Sequence, residues 1–382
     1  MRYRPFTKNG HNLWDVLSLL QKSIRRNDKR WAVWAANELD SKYHDTAWKR
    51  LLIISCEDVG ELVTTQVLKN MRAAFHANKE LPSHQISHAR WLVETVLLLC
   101  DAVKSRDCDN FIYVAYNNGN PSHDEINAQL SAITAEENAM YEKFLAQHKK
   151  THVIFPDSAD DYLLMDQQLI LHCETPLIPV KGNVTRSGHD VTAVLAVLAR
   201  ALDAKNPVMT GWAVCELDTG GYGCFMTIWN YLIDVATRTC ANNDKICREA
   251  WSLLRMSAML NARKKSGQVG CTLPLLKLAF VLCDETLNDR STDRTLNQRD
   301  ADRIVTDAEV TDALSNIEKP ASEFPDYTWD VHTLRGKRMG KTSHTFLFSE
   351  TFSLVPKSPD DKFDPIEGTD YSEVFMRVFG HA

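Results

Sequence analysis

Apolar residues recur every three or four positions through most of this chain, and that period predicts helices. Leu13, Val16, Leu17, Leu20 and Ile24 make one stripe over Asn12 to Arg26. Asn12 is placed to cap its start, and Asp15 three residues on adds a capping-box-like acid. Asn27-Asp28 breaks the pattern. A second helix over Trp31 to Asp40 carries Trp31, Trp34, Ala35 and Leu39, and a third over Thr46 to Cys56 carries Trp48, Leu51, Leu52 and Ile54. Glu57-Asp58 follows its last turn, where Gly60 is placed to supply the positive φ of a turn. Helices are also expected at Leu62–Asn78 and Ser87–Val103, so the architecture predicted is an all-α helical bundle.

The pattern then repeats at an offset of 178 residues. His11 matches His189, Val16-Leu17 matches Val194-Leu195, Leu20 matches Leu198, and Lys22 and Ile24 match Arg200 and Leu202. Trp34-Ala35 matches Trp212-Ala213, and Glu38-Leu39-Asp40 matches Glu216-Leu217-Asp218. Leu81-Pro82 resembles Leu273-Pro274, and Leu99-Cys100-Asp101 matches Leu282-Cys283-Asp284 at offset 183, which implies a few inserted residues. The expectation is two divergent copies of one helical domain. The second copy lacks a Glu-Asp-Val-Gly sequence at Trp229 to Ala241.

Between the copies, Pro121 to about Lys150 reads as a polar helix, Asp160 to His172 as another, and Thr175 to Lys181 as an extended linker. After the second copy, Asn288 to Asp330 is strongly acidic and reads as a solvated helical face. Phe346 to Leu354 reads as a tail strand or docking segment. The division expected is a helical domain at 1–116, a helical linker region at 117–185, the second copy at 186–290, and an acidic connector with a basic tail at 291–382.

Composition narrows the function classes. The chain has 382 residues, 44% of them hydrophobic, and a net charge of -6, so no basic coat for nucleic acid is expected over the whole surface. Residues 1–50 nevertheless hold eleven Lys/Arg against five acids, a local excess of +6. No signal peptide is expected, since Arg2 and Arg4 lead into Pro5, and the longest apolar run, Trp91 to Cys100, is interrupted by Glu94. Ten cysteines are scattered singly without a C-x-x-C pair, which suits small buried thiols in a reducing, cytoplasmic compartment.

Residues 11 to about 116 resemble the C-terminal helical region of replication-associated recombination protein A (MgsA-type) AAA+ ATPases. The matching residues are Lys22-Ser23-Ile24-Arg25, Asp28, Trp34-Ala35, Lys49-Arg50-Leu51 and, above all, Glu57-Asp58-Val59-Gly60. Cys56 stands where the family has Ser, and Ile53 where it has a basic residue. The resemblance implies a clamp-loader-collar-like domain that serves in oligomerisation and in contact with replication proteins. The family's ATPase is not expected here, because only ten residues precede the first helix. Gly336-Lys337-Arg338-Met339-Gly340-Lys341-Thr342 has three residues where a Walker A loop needs four between its glycines. Gly220-Gly221-Tyr222-Gly223 lacks the dinucleotide-loop spacing.

Candidate chemistry is sparse. His84 and His88 are one helical turn apart, as in a zinc pair, but no third ligand is evident. Glu57-Asp58 could hold a metal; at a helix end beside Gly60 the pair reads better as a cap bonded to Lys49 or Arg50. Asp330-Val331-His332-Thr333 precedes Arg335, Lys337, Arg338 and Lys341; Asp330 is placed to cap a short helix, and the cations suit a phosphate backbone. The function expected is a non-enzymatic oligomerisation and DNA-associated factor in replication or recombination, without cofactor or metal. Its DNA-contact candidates are Lys22, Arg25, Arg26, Lys29, Arg30, Lys49, Arg50, Arg335, Lys337, Arg338 and Lys341. A homo-oligomer, an AAA+ subunit or other replication proteins are the partners expected, with no membrane. The alternatives are a metal-dependent enzyme using Glu57, Asp58, His84 and His88, or a pure protein scaffold.

Overall fold

Each first helix starts from the same small turn. The computed structural model describes residues 5–60, 88–116, 119–148, 184–185, 187–219, 272–284, 305–317 and 323–358, with a few isolated positions besides. Helix α1 (Leu13–Arg25) is capped by Asn12, whose side chain accepts from Trp14 N–H. Asp15 takes no part in the cap. Helix α2 (Lys29–Glu57) joins two segments expected to be separate helices; the break between them survives only as a kink at Tyr43 (φ -127°, ψ 26°). Asp28 caps α2 by accepting from Trp31 N–H. Helix α3 (His88–Asp101) packs with α1 and α2, and α4 (Asp107–Asn110) follows. The helix expected at Leu62–Asn78, His84 and Leu81-Pro82 lie outside the described residues.

The chain divides into two compact units, residues 1–110 with 294–382, and residues 111–293. Residues 294–382 fall in the same unit as the N-terminal helices. In the first unit α10 (Asp307–Ser315) packs on α3 and α2, and the C-terminal stretch supplies α11 (Leu334–Arg338) and α12 (Ser343–Phe352). Phe346 to Leu354, expected as a strand or docking segment, thus lies largely in a helix. The sequence misled because its dense aromatic and apolar residues suit a strand as well as a buried helix.

The second unit begins with a short π-helix at Phe111–Ala115, then α5 (His123–Ser131) and α6 (Ala135–His148), so the single polar helix expected over 121–150 is two. The joint is made by Thr134, whose side chain and N–H bind Glu137 as a new helix starts. Helices α7 (Val191–Asp203), α8 (Pro207–Thr219) and α9 (Thr272–Asp284) follow. They pack on one another as α1, α2 and α3 do. The segments expected at Asp160 to His172, Thr175 to Lys181 and Gly220 to Gly223 fall outside the described residues, as does most of Trp229 to Ala241.

The correspondence between the two segments extends to details that the sequence comparison did not use. Thr7 N–H donates to His11 O at 2.9 Å, and Thr185 N–H to His189 O at 2.8 Å. Gly10 (φ +81°) and Gly188 (φ +87°) close these turns in the left-handed region, where a side chain would be strained. The joint after each first helix places Asn27 (φ 55°) and Lys205 (φ 52°) there as well. In both copies a buried glutamate ties the turn down: Glu38 accepts from Thr7 Oγ1 and Asn9, and Glu216 from Thr185 Oγ1 and Ser187. His11 meets Trp34 edge-on at 5.3 Å, and His189 meets Trp212 at 5.8 Å. The two chain segments thus agree in turn type, in the placing of left-handed residues and in a buried carboxylate.

Among the described residues there is no strand, only isolated bridges such as Val59 with Lys104, and no helix is long and apolar enough to cross a membrane.

Candidate functional site

Lys22 to Asp28 and Lys49 to Gly60 converge in the first unit on one buried carboxylate. Asp58 ends α2, and its N–H still donates to Ile54 O at 2.8 Å. Its carboxylate is fully buried. Arg25 donates to it from Nε at 2.9 Å and Nη2 at 3.1 Å, Arg106 from Nη1 at 2.8 Å, and Gln21 from Nε2 at 2.8 Å. Four donors on two oxygens fill the acceptor capacity of a carboxylate. Burial alone would raise the Asp58 pKa, but Arg25 and Arg106 outweigh it and hold it below the usual range.

The network spreads from there. Arg106 also reaches Glu57 at 3.3 Å and pairs with Asp109. Arg25 pairs with Glu350 of α12, to which Arg26 donates at 3.1 and 3.2 Å. Lys22 pairs with Asp330 at 2.7 Å and donates to Thr328 O at 3.1 Å. Burial depresses the Lys22 pKa and Asp330 partly restores it. Four cations and five carboxylates thus nearly neutralise one another, which is the condition for keeping charges in a low-dielectric interior.

Main-chain contacts hold the C-terminal segment on the same place. Val355 N–H donates to Arg25 O at 3.0 Å, Lys104 N–H to Pro356 O at 2.7 Å, and Ser358 N–H to Lys104 O at 2.7 Å. Lys104 is itself buried and donates from Nζ to Cys100 O at 2.9 Å and Ala102 O at 2.6 Å, a cation set on the carbonyl end of α3. Gly60 sits beside that end, its N–H on Val103 O at 3.0 Å. Its φ is not positive, as had been expected. The close approach of Ser105 is what leaves little room for a side chain, since a Cβ would stand 3.1 Å from that of Ser105.

This geometry corrects several expectations. Glu57 and Asp58 pair with Arg25 and Arg106 rather than with Lys49 or Arg50; Arg50 donates to Gln21 Oε1 at 3.2 Å instead. A metal at Asp58 would have to displace two guanidinium groups. Among the described residues no group of three or more His, Cys, Asp or Glu side chains could hold a metal ion. Lys22 and Arg25 are buried in ion pairs and cannot meet a phosphate backbone. Arg26 is mostly covered and lies 4.8 Å over the Tyr327 ring, and Lys29 pairs with Asp101 at 2.7 Å. Lys49 and Arg50 are half-buried, and Arg30 is exposed.

The Asp330–Lys341 stretch is a hydrogen-bonded loop leading into a short helix. Thr333, not Asp330, caps α11, accepting from Gly336 N–H at 3.0 Å. Asp330 accepts instead from the N–H groups of His332 at 2.9 Å and Thr333 at 3.2 Å. Gly336, the first glycine of the phosphate-loop-like run, lies inside α11 against the main chain of Asp330, where a Cβ would overlap it. Arg335 stacks 4.6 Å over Trp329, Lys341 pairs with Asp326 at 2.8 Å, and Lys337 and Arg338 are exposed.

Arg106, Glu350 and Gln21 went unrecognised in the sequence. Glu350 had a usable signal, a lone carboxylate in the apolar run Phe346 to Phe352. Arg106 had only its spacing of three from Asp109. No protein-family model, curated protein or solved structure matches the chain.

Proposed function

We propose that the protein is a non-enzymatic assembly factor associated with DNA in replication or recombination, a free-standing, collar-like relative of the C-terminal region of MgsA-type AAA+ ATPases. The observation that carries this reading is the fate of Glu57 and Asp58. The adjacent acids that most invite a catalytic role are spent on Arg25 and Arg106, inside a network that joins the N-terminal helices to the C-terminal segment. A stretch built in this way is architecture. A repeated domain in which each first helix is clasped by a segment from outside the repeat also suits a protein whose work is to hold other chains.

With Lys22 and Arg25 buried, DNA contact falls to the exposed cations Arg30, Arg335, Lys337 and Arg338, with Lys341 beside them. Partners on this reading are a second copy of the chain and an AAA+ subunit supplied by another chain. The test has three parts. Purified protein should hydrolyse no ATP when DNA is added, its light-scattering mass at micromolar concentration should exceed that of the monomer, and its affinity for duplex DNA should fall with salt by a logarithmic slope of about 0.9 per phosphate neutralised. DNA-stimulated ATP hydrolysis would refute the non-enzymatic reading. A strictly monomeric mass would refute self-association, and a DNA signal that is absent or indifferent to salt would leave a protein scaffold.

A further inference from the structure

Helix α11 is seated without a side chain of its own beneath it. Of its five residues only Gly336 is buried, so close to the Asp330 main chain that a Cβ would overlap it. The mount is made of hydrogen bonds. Thr333 Oγ1 accepts from Gly336 N–H at 3.0 Å and donates to Asp330 O at 3.0 Å, and Lys341 N–H donates to Gly336 O at 3.0 Å. A surface helix ordinarily lays an apolar stripe on its support. Here the support receives a glycine, and Leu334, Arg335, Lys337 and Arg338 are all exposed.

What the helix displays is one apolar residue among cations. With 3.6 residues to the turn, Leu334 and Arg338 stand opposite Gly336, with Arg335 on one side and Lys337 on the other. Leu334 is 57% exposed, and Met339, which ends the helix, 46%. Arg335 is steadied by its stacking over Trp329 at 4.6 Å, while Lys337 and Arg338 form no ion pair with a described residue. From Leu334 to Met339 the chain carries three cations and no acid. These residues are consecutive, so the helix itself makes them one surface.

We propose that α11 is the part of the chain that meets duplex DNA: Leu334 enters the minor groove as a wedge at a base step, and Lys337 and Arg338 take the phosphates beside it. Charge selects an anionic partner, since three cations stand here without an acid. Arrangement selects DNA. A partner helix docks on an apolar row at one-turn spacing, whereas Leu334 and Met339 are five positions apart and leave the helix on different sides. A lipid surface needs more buried apolar area than one leucine offers. A lone apolar side chain flanked by cations suits the partial unstacking of a base step, which kinks the duplex. This rests on the DNA association in the assembly-factor reading and names the DNA held. It is duplex already kinked, because a kink present beforehand spares the protein the unstacking.

The experiment titrates the full chain, by anisotropy, into two fluorescent duplexes of about 20 base pairs, one straight and one kinked by a bulge. The kinked duplex should bind about tenfold tighter. Leu334→Ser should bring the two affinities together without changing the salt slope. The double variant Lys337→Gln/Arg338→Gln should weaken both duplexes alike and lower the slope by about 1.8, the share of two phosphates. Circular dichroism of both variants should match the parent, since these side chains are in solvent. Equal affinity of the parent for the two duplexes overturns the proposal. So does a preference that Leu334→Ser retains, or a slope that the double variant leaves unchanged. Phosphatidylserine vesicles that bind the parent but not Leu334→Ser, while both bind the two duplexes equally, overturn it in favour of a lipid surface. The two readings fail separately. Salt-dependent DNA binding without preference for the kinked duplex removes this proposal and keeps the assembly factor; DNA-stimulated ATP hydrolysis with the preference intact does the reverse.

Discussion

Lys22 and Arg200 stand at equivalent positions in the two copies and perform the same task. Lys22 donates to Thr328 O at 3.1 Å and pairs with Asp330; Arg200 donates to Ala132 O at 2.9 Å and pairs with Glu137. Each is a cation near the end of the first helix that grips a carbonyl and a carboxylate on a segment from outside the repeat.

Removing the centre of the ion network should be costly. Asp58→Ala leaves Arg25 and Arg106 buried without their main counter-charge, a change worth about 3–5 kcal/mol of stability. Urea unfolding should show the loss as a lower midpoint. The double variant Asp58→Ala/Arg25→Met should lose less than the sum of the two single changes, because each removes the other's partner. Simple additivity would mean that the two residues do not act as a pair.

Acid should undo the same contacts. Burial would raise the pKa values of Asp58, Glu350 and Asp330, but Arg25 and Arg106, Arg25 and Arg26, and His332 and Lys22 respectively hold them below the usual range. Their native values lie below the unfolded ones, so the stability they contribute is complete above the ordinary carboxylate value of about 4 and is lost as pH falls through the native values. Asp15 and Glu94, raised by partial burial, pull weakly the other way. Urea stability should be level from neutral pH down to about 5 and drop steeply below 4. Asp330→Asn should make that drop shallower; an unchanged acid limb would show that Asp330 does not contribute.

The turn staple should be equally important in both copies. Glu38→Ala and Glu216→Ala each remove the carboxylate acceptor of a buried threonine hydroxyl, Thr7 in the first, which keeps only a 3.3 Å contact with His11 O, and Thr185 in the second, at about 1–3 kcal/mol apiece. The two sites share no partner, so the double variant should add to within about 0.5 kcal/mol. Hydrogen exchange should reveal lost protection at the turns before α1 and α7. Loss confined to one turn in both single variants would contradict the equivalence.

Gly336→Ala tests the packing of α11. A methyl group there overlaps the main chain of Asp330, so the turn or the helix must move, at about 1–3 kcal/mol or more. Amides from Asp330 to Lys341 should exchange faster than in the parent. Cys100 supplies a control in the same unit: burial pushes its thiol up to about 12, so alkylation followed by site-resolved mass spectrometry should find it unmodified until the protein unfolds.

Much of the fold was legible from residue spacing. The stripe from Leu13 to Ile24 became α1, and Asn12 caps it as its position suggested. The residues matched in sequence, Trp34 with Trp212 and Glu38 with Glu216, also make matching contacts, because similar buried surroundings demand similar chemistry. The candidate site was less legible. Lys22 and Arg25 looked like solvent-facing cations because nothing in α1 itself covers them; segments more than 300 residues later do so, with Thr328 306 positions from Lys22 and Glu350 325 positions from Arg25.

By itself, the sequence determined the all-α character, the cap and stripe of α1 and the paired spacing of Trp34 with Trp212 and Glu38 with Glu216, since all three are written in local spacing and in the rare residues that a buried position requires. Only the tertiary structure decided what Glu57 and Asp58 do. A charge at a helix end becomes a ligand, a cap or half of an ion pair according to what is packed against it, and Arg106 and the C-terminal segment reach it only after long loops close. Once they have closed, water is excluded from Asp58 and two guanidinium groups remain as its chief counter-charges.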